Sequence, residues 1–113
     1  MKGQAWLDRI DVAVTVCDRE GVIVYMNDRA AATFQAGGGR RLLGKSLWDC
    51  HPEPAREKIR RIMETGQSNS YTIEKNGVKK LIHQAPWPGN GGLGGLVEFS
   101  IVIPVDLPHF VRD

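Results

Sequence analysis

The stretch between Asp18 and Asn27 constrains the fold more than any other part of the chain. A turn over 19–21 ends one apolar run, and a second apolar run over 22–26 follows it directly. Asn27 stands at the opening of a helix, because its side chain can accept a hydrogen bond from a free N–H at a helix N-terminus. The pattern predicts a tight hairpin whose second strand continues straight into a short helix.

Two elements are predicted before this hairpin turn. The run 12–18 (VAVTVCD) alternates with a period of two, which is typical of a β-strand. Ahead of it, apolar residues recur at helical spacing and predict an amphipathic helix within residues 1–11: Trp6, Leu7 and Ile10. Such a short helix is marginal in water, so we expect it to dock on its own domain or on a partner.

The middle of the chain favours helices. The helix after Asn27 is expected to continue to Phe34 and to end at the glycines 37–39. A short helical segment over 47–50 follows. A longer helix is predicted to begin near 52–54 and to close at Gly66, with an apolar stripe of Ala55, Ile59, Ile62 and Met63.

Three strands are predicted at the C-terminal end, over 70–75, 78–87 and 96–103. Asn76-Gly77 is a strong two-residue hairpin signal between the first two of them, and a long loop is expected over 88–95. Two strands, a run of helices and three strands predict an α+β fold. We expect one antiparallel sheet with the helices packed on one face.

Composition narrows the classes of protein. The length of 113 residues suits one domain, and the net charge of +2 comes from interleaved basic and acidic residues. The basic cluster within 56–61 is flanked by glutamates, so we interpret it as a solvated helix face and expect no nucleic-acid partner.

No apolar run approaches the roughly 20 residues that span a bilayer, so we expect no membrane association and a cytoplasmic location. Cys17 and Cys50 are expected to be free thiols, since they fit neither a disulfide framework nor metal-site spacing.

As a set, these motifs resemble the PAS domain family of sensory modules. Residues 18–21 are similar to its D-x-x-G hairpin, 24–34 (VYMNDRAAATF) to its strand-Asn-helix unit, and 43–53 (LGKSLWDCHPE) to its returning loop and long-helix start. Residues 95–102 (GLVEFSIV) match its final strand. The run DCHPEPAREKI is similar to PAS domains that accompany hemerythrin-like and sigma-dependent regulators.

The resemblance implies a PAS-like domain over 12–104, with five antiparallel strands and with the helices inserted after the second strand. Residues 105–113 are then a C-terminal tail. The glycine-rich run 89–95 (GNGGLGG) departs from the family pattern, and the residues given after the last strand are too few to form an output domain. How a signal leaves the domain, and whether the chain is whole or part of a larger receptor, stays open.

A curved sheet covered by short helices leaves an apolar space that can hold a ligand. The residues expected there are Val14, Val16, Phe34, Trp48, Ile59, Met63, Phe99 and Ile101, with His83 or Gln84 as a polar anchor. Only one of these last two can face the covered side, because strand neighbours alternate. The alternative is that these side chains simply fill a core.

Haem or flavin is a further alternative. His51 beside Cys50 could ligate haem iron and make the protein a redox or gas sensor. His-Pro-Glu is also a plain helix-opening signal in PAS domains. A light-sensing flavin adduct would need an Asn-Cys-Arg-Phe-Leu context, which the sequence lacks, and the cofactor stays undetermined.

We expect no enzyme activity, since no nucleophile elbow, phosphate loop or spaced carboxylate pair occurs. The leading hypothesis is a sensory module that binds a small ligand, forms a homodimer, or does both, with a signalling protein as a further partner. Trp6, Leu7 and Ile10 and the tail 105–111 are the predicted dimer contacts. The remaining alternative is an interaction domain without a ligand.

Overall fold

The computed structural model describes residues 5–50 and 53–113. Its helices are α1 (Ala5–Arg9), α2 (Asp28–Thr33), α3 (Leu47–Cys50) and α4 (Ala55–Thr65). Its strands are β1 (Ala13–Asp18), β2 (Ile23–Met26), β3 (Asn69–Lys75), β4 (Val78–Gly89) and β5 (Gly92–Ile103). Two 3-10 turns, Gln35–Gly37 and Gly39–Leu42, follow α2.

The five strands form one antiparallel sheet in the order β2-β1-β5-β4-β3. The helices between β2 and β3 lie over one face, where Ile59 and Ile62 of α4 are buried against Cys17 and Leu96 of the sheet. This architecture confirms the predicted α+β class. Within the described ranges, no helix is long and apolar enough to cross a membrane.

The β1–β2 hairpin is closed by Asp18. Its Oδ1 accepts hydrogen bonds from the backbone N–H groups of Glu20 and Val22, each at 3.0 Å. Gly21 adopts a φ of +84°, and the Trp48 indole covers it so closely that an added Cβ would lie 2.7 Å from Nε1. A side chain at position 21 would therefore have to displace Trp48 from the hairpin.

Asn27 joins three elements through one buried side chain, which is only 1% exposed. Its Oδ1 accepts from the N–H of Val14 in β1 and from that of Ala30 in α2, both at 3.0 Å. Its Nδ2 donates to the carbonyls of Leu7 at 3.0 Å and Val12 at 2.7 Å. The predicted helix cap is confirmed, and the same amide also fixes the chain that leads from α1 into β1.

A second bond holds α1 against the hairpin. The Tyr25 hydroxyl donates to the Asp8 carboxylate at 2.6 Å. Burial, followed by this bond to a carboxylate, raises the pKa of Tyr25 to about 12. The phenol therefore stays protonated, and the bond to α1 intact, across the neutral pH range.

The predicted loop over 88–95 is wrong. β4 continues to Gly89 and β5 begins at Gly92, joined by a second Asn-Gly turn at Asn90-Gly91. Glycines and prolines disfavour strands, and this composition concealed the hairpin. Pro86 and Pro88 are tolerated because β3 pairs with β4 only as far as Gln84, which leaves that edge of β4 open.

Trp87 explains why two of the hairpin glycines are needed. A Cβ on Gly94 would lie 2.1 Å from the Trp87 ring, and one on Gly95 would lie 1.9 Å from the Cys17 carbonyl oxygen. The Trp87 Nε1 donates to that same carbonyl at 3.1 Å. The indole thus lies against bare backbone and links β4 to β1 across β5.

Replacement of Asn27 by alanine should destabilise the fold by at least ~3 kcal/mol, because it orphans several buried backbone groups at once. Urea unfolding checks this value. Gln67→Ala, at an exposed amide, is the control and should stay within about 0.5 kcal/mol of the parent. Equal stability of the two variants would show that the Asn27 bonds are not needed.

Candidate ligand-binding cavity

A cavity of about 410 Å³ lies between the sheet and the helices inserted after β2. Its described lining is mostly apolar and comes from both layers: Thr15, Cys17, Ile23, Met26, Phe34, Gly37, Leu42, Leu47, Asp49, Ile59, Gln84, Leu96 and Glu98. Small-molecule sites usually enclose about 300–1,000 Å³ and combine apolar walls with a few polar groups. This cavity has the size and the lining of such a site.

The polar groups form a row across the sheet. Thr15 of β1 is paired with Glu98 of β5, Glu98 with Gln84 of β4, and Gln84 with Asn69 of β3. Paired residues on neighbouring strands point to the same face. The row therefore crosses four strands at one level, and three of its members line the cavity.

The hydrogen bonds along this row all donate in one direction, from Asn69 toward Glu98. Asn69 Nδ2 donates to Gln84 Oε1 at 3.1 Å, and Gln84 Nε2 donates to Glu98 Oε2 at 2.9 Å. An ionised carboxylate can only accept, so the amide that faces it must present its NH₂ group. Gln84 is only 4% exposed, and both ends of its amide are thereby oriented by neighbours.

The charge of the cavity is negative. Glu98 on the sheet is half-buried, and Asp49 on α3 is exposed on the solvent side. The described lining contains no lysine, arginine or histidine, and neither carboxylate has an ion-pair partner in the described part of the chain. A ligand in this cavity meets hydrogen-bond acceptors that carry negative charge.

The Cys17 thiol lines the cavity but is a weak nucleophile. The side chain is 1% exposed and the thiol is free. Burial raises the pKa of Cys17 from its ordinary value of 9.0 to about 11, and the nearby Asp18 and Glu98 charges act in the same direction. The thiol therefore stays protonated at neutral pH and acts as a small apolar wall group.

Three of the predicted pocket residues line this cavity, namely Phe34, Ile59 and Gln84. Met63 and Trp48 are half-buried and pack against the hydrophobic core without lining the cavity. Trp48 also donates from Nε1 to the Glu20 carbonyl at 3.3 Å, and the Arg60 guanidinium lies 5.8 Å from its ring centre. These contacts tie the hairpin to α3 and α4.

The other predicted pocket residues lie on the opposite face of the sheet. Val14, Val16, Phe99 and Ile101 alternate with residues that line the cavity, so their side chains point away from it. His83 lies on this outer face as well, where its Nδ1 is 2.6 Å from the Ser70 hydroxyl. Of the two proposed polar anchors, the structure thus places Gln84 and not His83 on the covered side.

Glu98 is the residue that sequence reasoning missed. A single carboxylate inside the apolar run LVEFSIV is a signal, because a charge in a central strand needs a reason to be there. Thr15 carries a weaker signal, as the one hydroxyl within VAVTVC. Both were overlooked because the larger apolar side chains of the two strands were assigned to the covered face.

The structure does not describe the side chains of the two residues predicted as haem ligands. His51 falls outside the described residues, and nothing is described of the Cys50 side chain. The haem hypothesis that rests on them stays a prediction. Among the residues that the structure does describe, no group of three or more His, Cys, Asp or Glu could hold a metal ion.

The predicted dimer contacts differ in exposure. Trp6 is 65% exposed, whereas Leu7 and Ile10 are half-buried beside the sheet. The tail after β5 has no regular structure and leaves its apolar side chains in solvent: Val105, Leu107, Phe110 and Val111. On the outer face of the sheet, Val97 and Phe99 are half-buried, and the accessible part of each side chain enlarges this apolar surface.

Known proteins share this fold. The sequence matches the family model of the PAS fold over residues 7–103. The PAS domain of nitrogen regulation protein NR(II) from Vibrio parahaemolyticus has a TM-score of 0.63 and 20% identity, covering 91% of this chain and 99% of that one. The Vibrio cholerae Aer2 receptor, described as a dual PAS-heme oxygen sensor, has a TM-score of 0.64 and 18% identity, with coverages of 88% and 100%.

A receptor described as LuxR-type resembles the chain as well. Vibrio cholerae VqmA has a TM-score of 0.65 and 18% identity, covering 96% of this chain and 55% of VqmA. VqmA bound to DPO gives a TM-score of 0.69 at 17% identity. No curated protein sequence matches the chain.

The fold and the family match together define the class of protein: it is a sensory and signal-transduction module. The chain belongs to the PAS family, as its motifs indicated.

Modification of Cys17 should be slow and strongly pH-dependent. In a Cys50→Ser variant, the shift of the pKa from 9.0 to about 11 lowers the thiolate fraction at pH 8 by roughly 100-fold relative to the unfolded chain. The reaction with a chromogenic disulfide, followed in buffer and in urea, measures this difference. Its rate should climb with pH to about 11, and a plateau near pH 9 would contradict the assignment.

Proposed function

We propose that this PAS domain is a sensor that binds a small, mostly apolar molecule in the cavity between sheet and helices. The observation that carries the proposal is the cavity itself. It combines a volume of about 410 Å³ with apolar walls and an ordered polar row on its floor. A core that only stabilises a fold has few voids larger than a water molecule.

Contacts of the cavity with the helical layer support a signalling role. Phe34 follows α2, Leu42 lies in the second 3-10 turn, and Leu47 and Ile59 belong to α3 and α4. A bound molecule would therefore contact the end of α2 at Phe34, the second 3-10 turn, α3 and α4. Because ligand binding stabilises the conformation it fits, occupancy would favour one arrangement of this layer over others.

We further propose that the module works as a homodimer. Trp6 and the tail expose large apolar side chains, and an exposed apolar patch marks an interaction surface. A second copy of the chain would cover Trp6, the tail side chains and the outer face of the sheet. Helices α2, α3 and α4 pack on the cavity side. On the outer face α1 lies against Tyr25 of β2, at the end where Val14 is buried, and the half-buried Val97 and Phe99 of β5 keep part of their surface open.

The remaining parts of the proposal follow from the same features. We place the protein in the cytoplasm, without membrane or nucleic-acid contacts of its own, and give it no enzymatic step.

Haem is not part of the proposal, because the described lining offers two carboxylates and neither a histidine ligand nor a cation to pair with the haem carboxylates. An absorption spectrum of the purified protein tests the prediction based on His51 and Cys50.

Filling the cavity should abolish binding. Leu42 is half-buried in the cavity wall, so Leu42→Trp directs an indole into the space. Toluene added to the parent protein should shift the methyl NMR signals of Ile59 and Leu96, and should leave those of Leu42→Trp unchanged.

The neighbouring residue provides the control. Leu43 is 40% exposed and does not line the cavity, so Leu43→Trp adds the same side chain outside it. This variant should bind toluene like the parent. Unchanged spectra of the parent protein, or binding that survives in Leu42→Trp, would refute the cavity proposal.

A charge at the proposed dimer contact should separate the copies. Trp6→Glu is expected to lower the mass in solution, measured by light scattering, from twice the chain mass to the chain mass, because an unpaired charge cannot be buried cheaply. Val24→Glu, at a residue that is 52% exposed on edge strand β2, is the control and should stay dimeric. A dimer in both variants would place the contact elsewhere.

A further inference from the structure

The polar row limits the chemistry that the cavity can accept. Asn69 and Gln84 both direct their NH₂ groups along the row toward Glu98, so the row ends in one carboxylate at the cavity. A buried carboxylate is costly unless donors satisfy its lone pairs. Of the two bonds of the row, only the one from Gln84 reaches Glu98, and it satisfies only part of this demand.

Glu98 retains capacity to accept. Its Oε2 receives the Gln84 amide, whereas its Oε1 has no hydrogen-bond donor within the described residues. On its other side the paired residue is Thr15, whose hydroxyl can donate or accept. An incoming donor would therefore find one carboxylate oxygen and one hydroxyl side by side on the floor.

Building on the proposed function, we propose that the cavity selects a small, mostly apolar molecule that carries an N–H donor, and that this N–H donates to the Glu98 carboxylate. The apolar body of the molecule would lie against Phe34, Ile59 and Leu96. A protonated nitrogen, as in an amidine, would bind more tightly than a neutral amide, because a charge-assisted hydrogen bond is roughly twice as strong.

Anionic molecules are excluded by the same features. Glu98 and Asp49 both line the cavity, and the described lining supplies no cation. A carboxylate or phosphate entering this space would lose its hydration and meet like charge in a poorly screened environment. The cavity should therefore separate molecules of one shape by the sign of their charge.

Gln84 and Asn69 act as positioning residues in this proposal. They do not need to contact the ligand, because their bonds hold the Glu98 carboxylate toward the cavity. This orientation would be set before the ligand arrives, which lowers the entropy lost on binding.

Four probes with the same ring test the proposal on the 113-residue chain: benzamidine, benzamide, benzoate and toluene. Binding is measured from the methyl NMR signals of Ile59 and Leu96, which both line the cavity. Benzamidine should bind at least about tenfold more tightly than benzoate, since only benzamidine offers charged donors to Glu98.

Glu98→Gln is the decisive variant, because it removes the charge and keeps the shape. Benzamidine affinity should fall roughly ten- to hundred-fold, which is the usual value of a hydrogen bond to a charged group. Toluene affinity should stay within about twofold, and this unchanged value also shows that the variant is folded. Glu74→Gln removes an exposed carboxylate of β3 and should alter neither affinity.

The outcomes separate this inference from the proposed function. If toluene binds but benzamidine and benzoate bind equally well, or if Glu98→Gln leaves benzamidine binding unchanged, the proposed ligand class is wrong and the cavity proposal survives. If none of the four probes shifts the methyl signals, the cavity proposal fails and this inference fails with it.

Discussion

The amide of Asn27 is the interaction on which the rest of this fold depends. Four hydrogen bonds connect it to β1, to α2 and to the chain that leads out of α1. Because its side chain is almost fully buried, water cannot replace any of these partners. The bonds set the position of β1 relative to α2, and that position determines where the sheet meets the helical layer. The cavity exists because these two layers are held at this separation while the intervening chain turns away through short 3-10 segments.

The sheet has different chemistry on its two faces. The covered face carries the row from Thr15 through Glu98 and Gln84 to Asn69, whereas the outer face presents Val97 and Phe99. The covered face also carries apolar core residues such as Cys17 and Leu96, so the row is a polar strip within an otherwise apolar face. The polar strip adds no hydrophobic stabilisation to the fold, since each buried polar group there needs a partner. The distribution instead suits a domain with a ligand inside and a second copy outside, as we propose.

Local signals predicted much of this structure, and the choice of sheet face was beyond them. The hairpin at Asp18, the cap at Asn27 and the Asn76-Gly77 turn depend on neighbours in sequence, so the order of elements followed from the residues alone. Alternation along β1 and β5 showed that each strand has two faces, but the pattern does not say which face the helices cover. The larger apolar groups were assigned to the covered face, and Glu98 was missed for that reason. The second Asn-Gly turn was concealed by glycines that a strand rarely contains, and two of them, Gly94 and Gly95, are explained only by contacts with the Trp87 ring and the β1 backbone.

The contact between Trp87 and the glycines of β5 also has an evolutionary consequence. Any side chain at position 94 would enter the space of the indole, and any side chain at position 95 would meet the backbone of β1. A smaller residue at position 87 would leave bare backbone exposed and the Cys17 carbonyl without its indole donor. No single substitution at one of these positions preserves the packing, so the three residues form one inherited unit. In descendants of this domain they should persist together or be lost together.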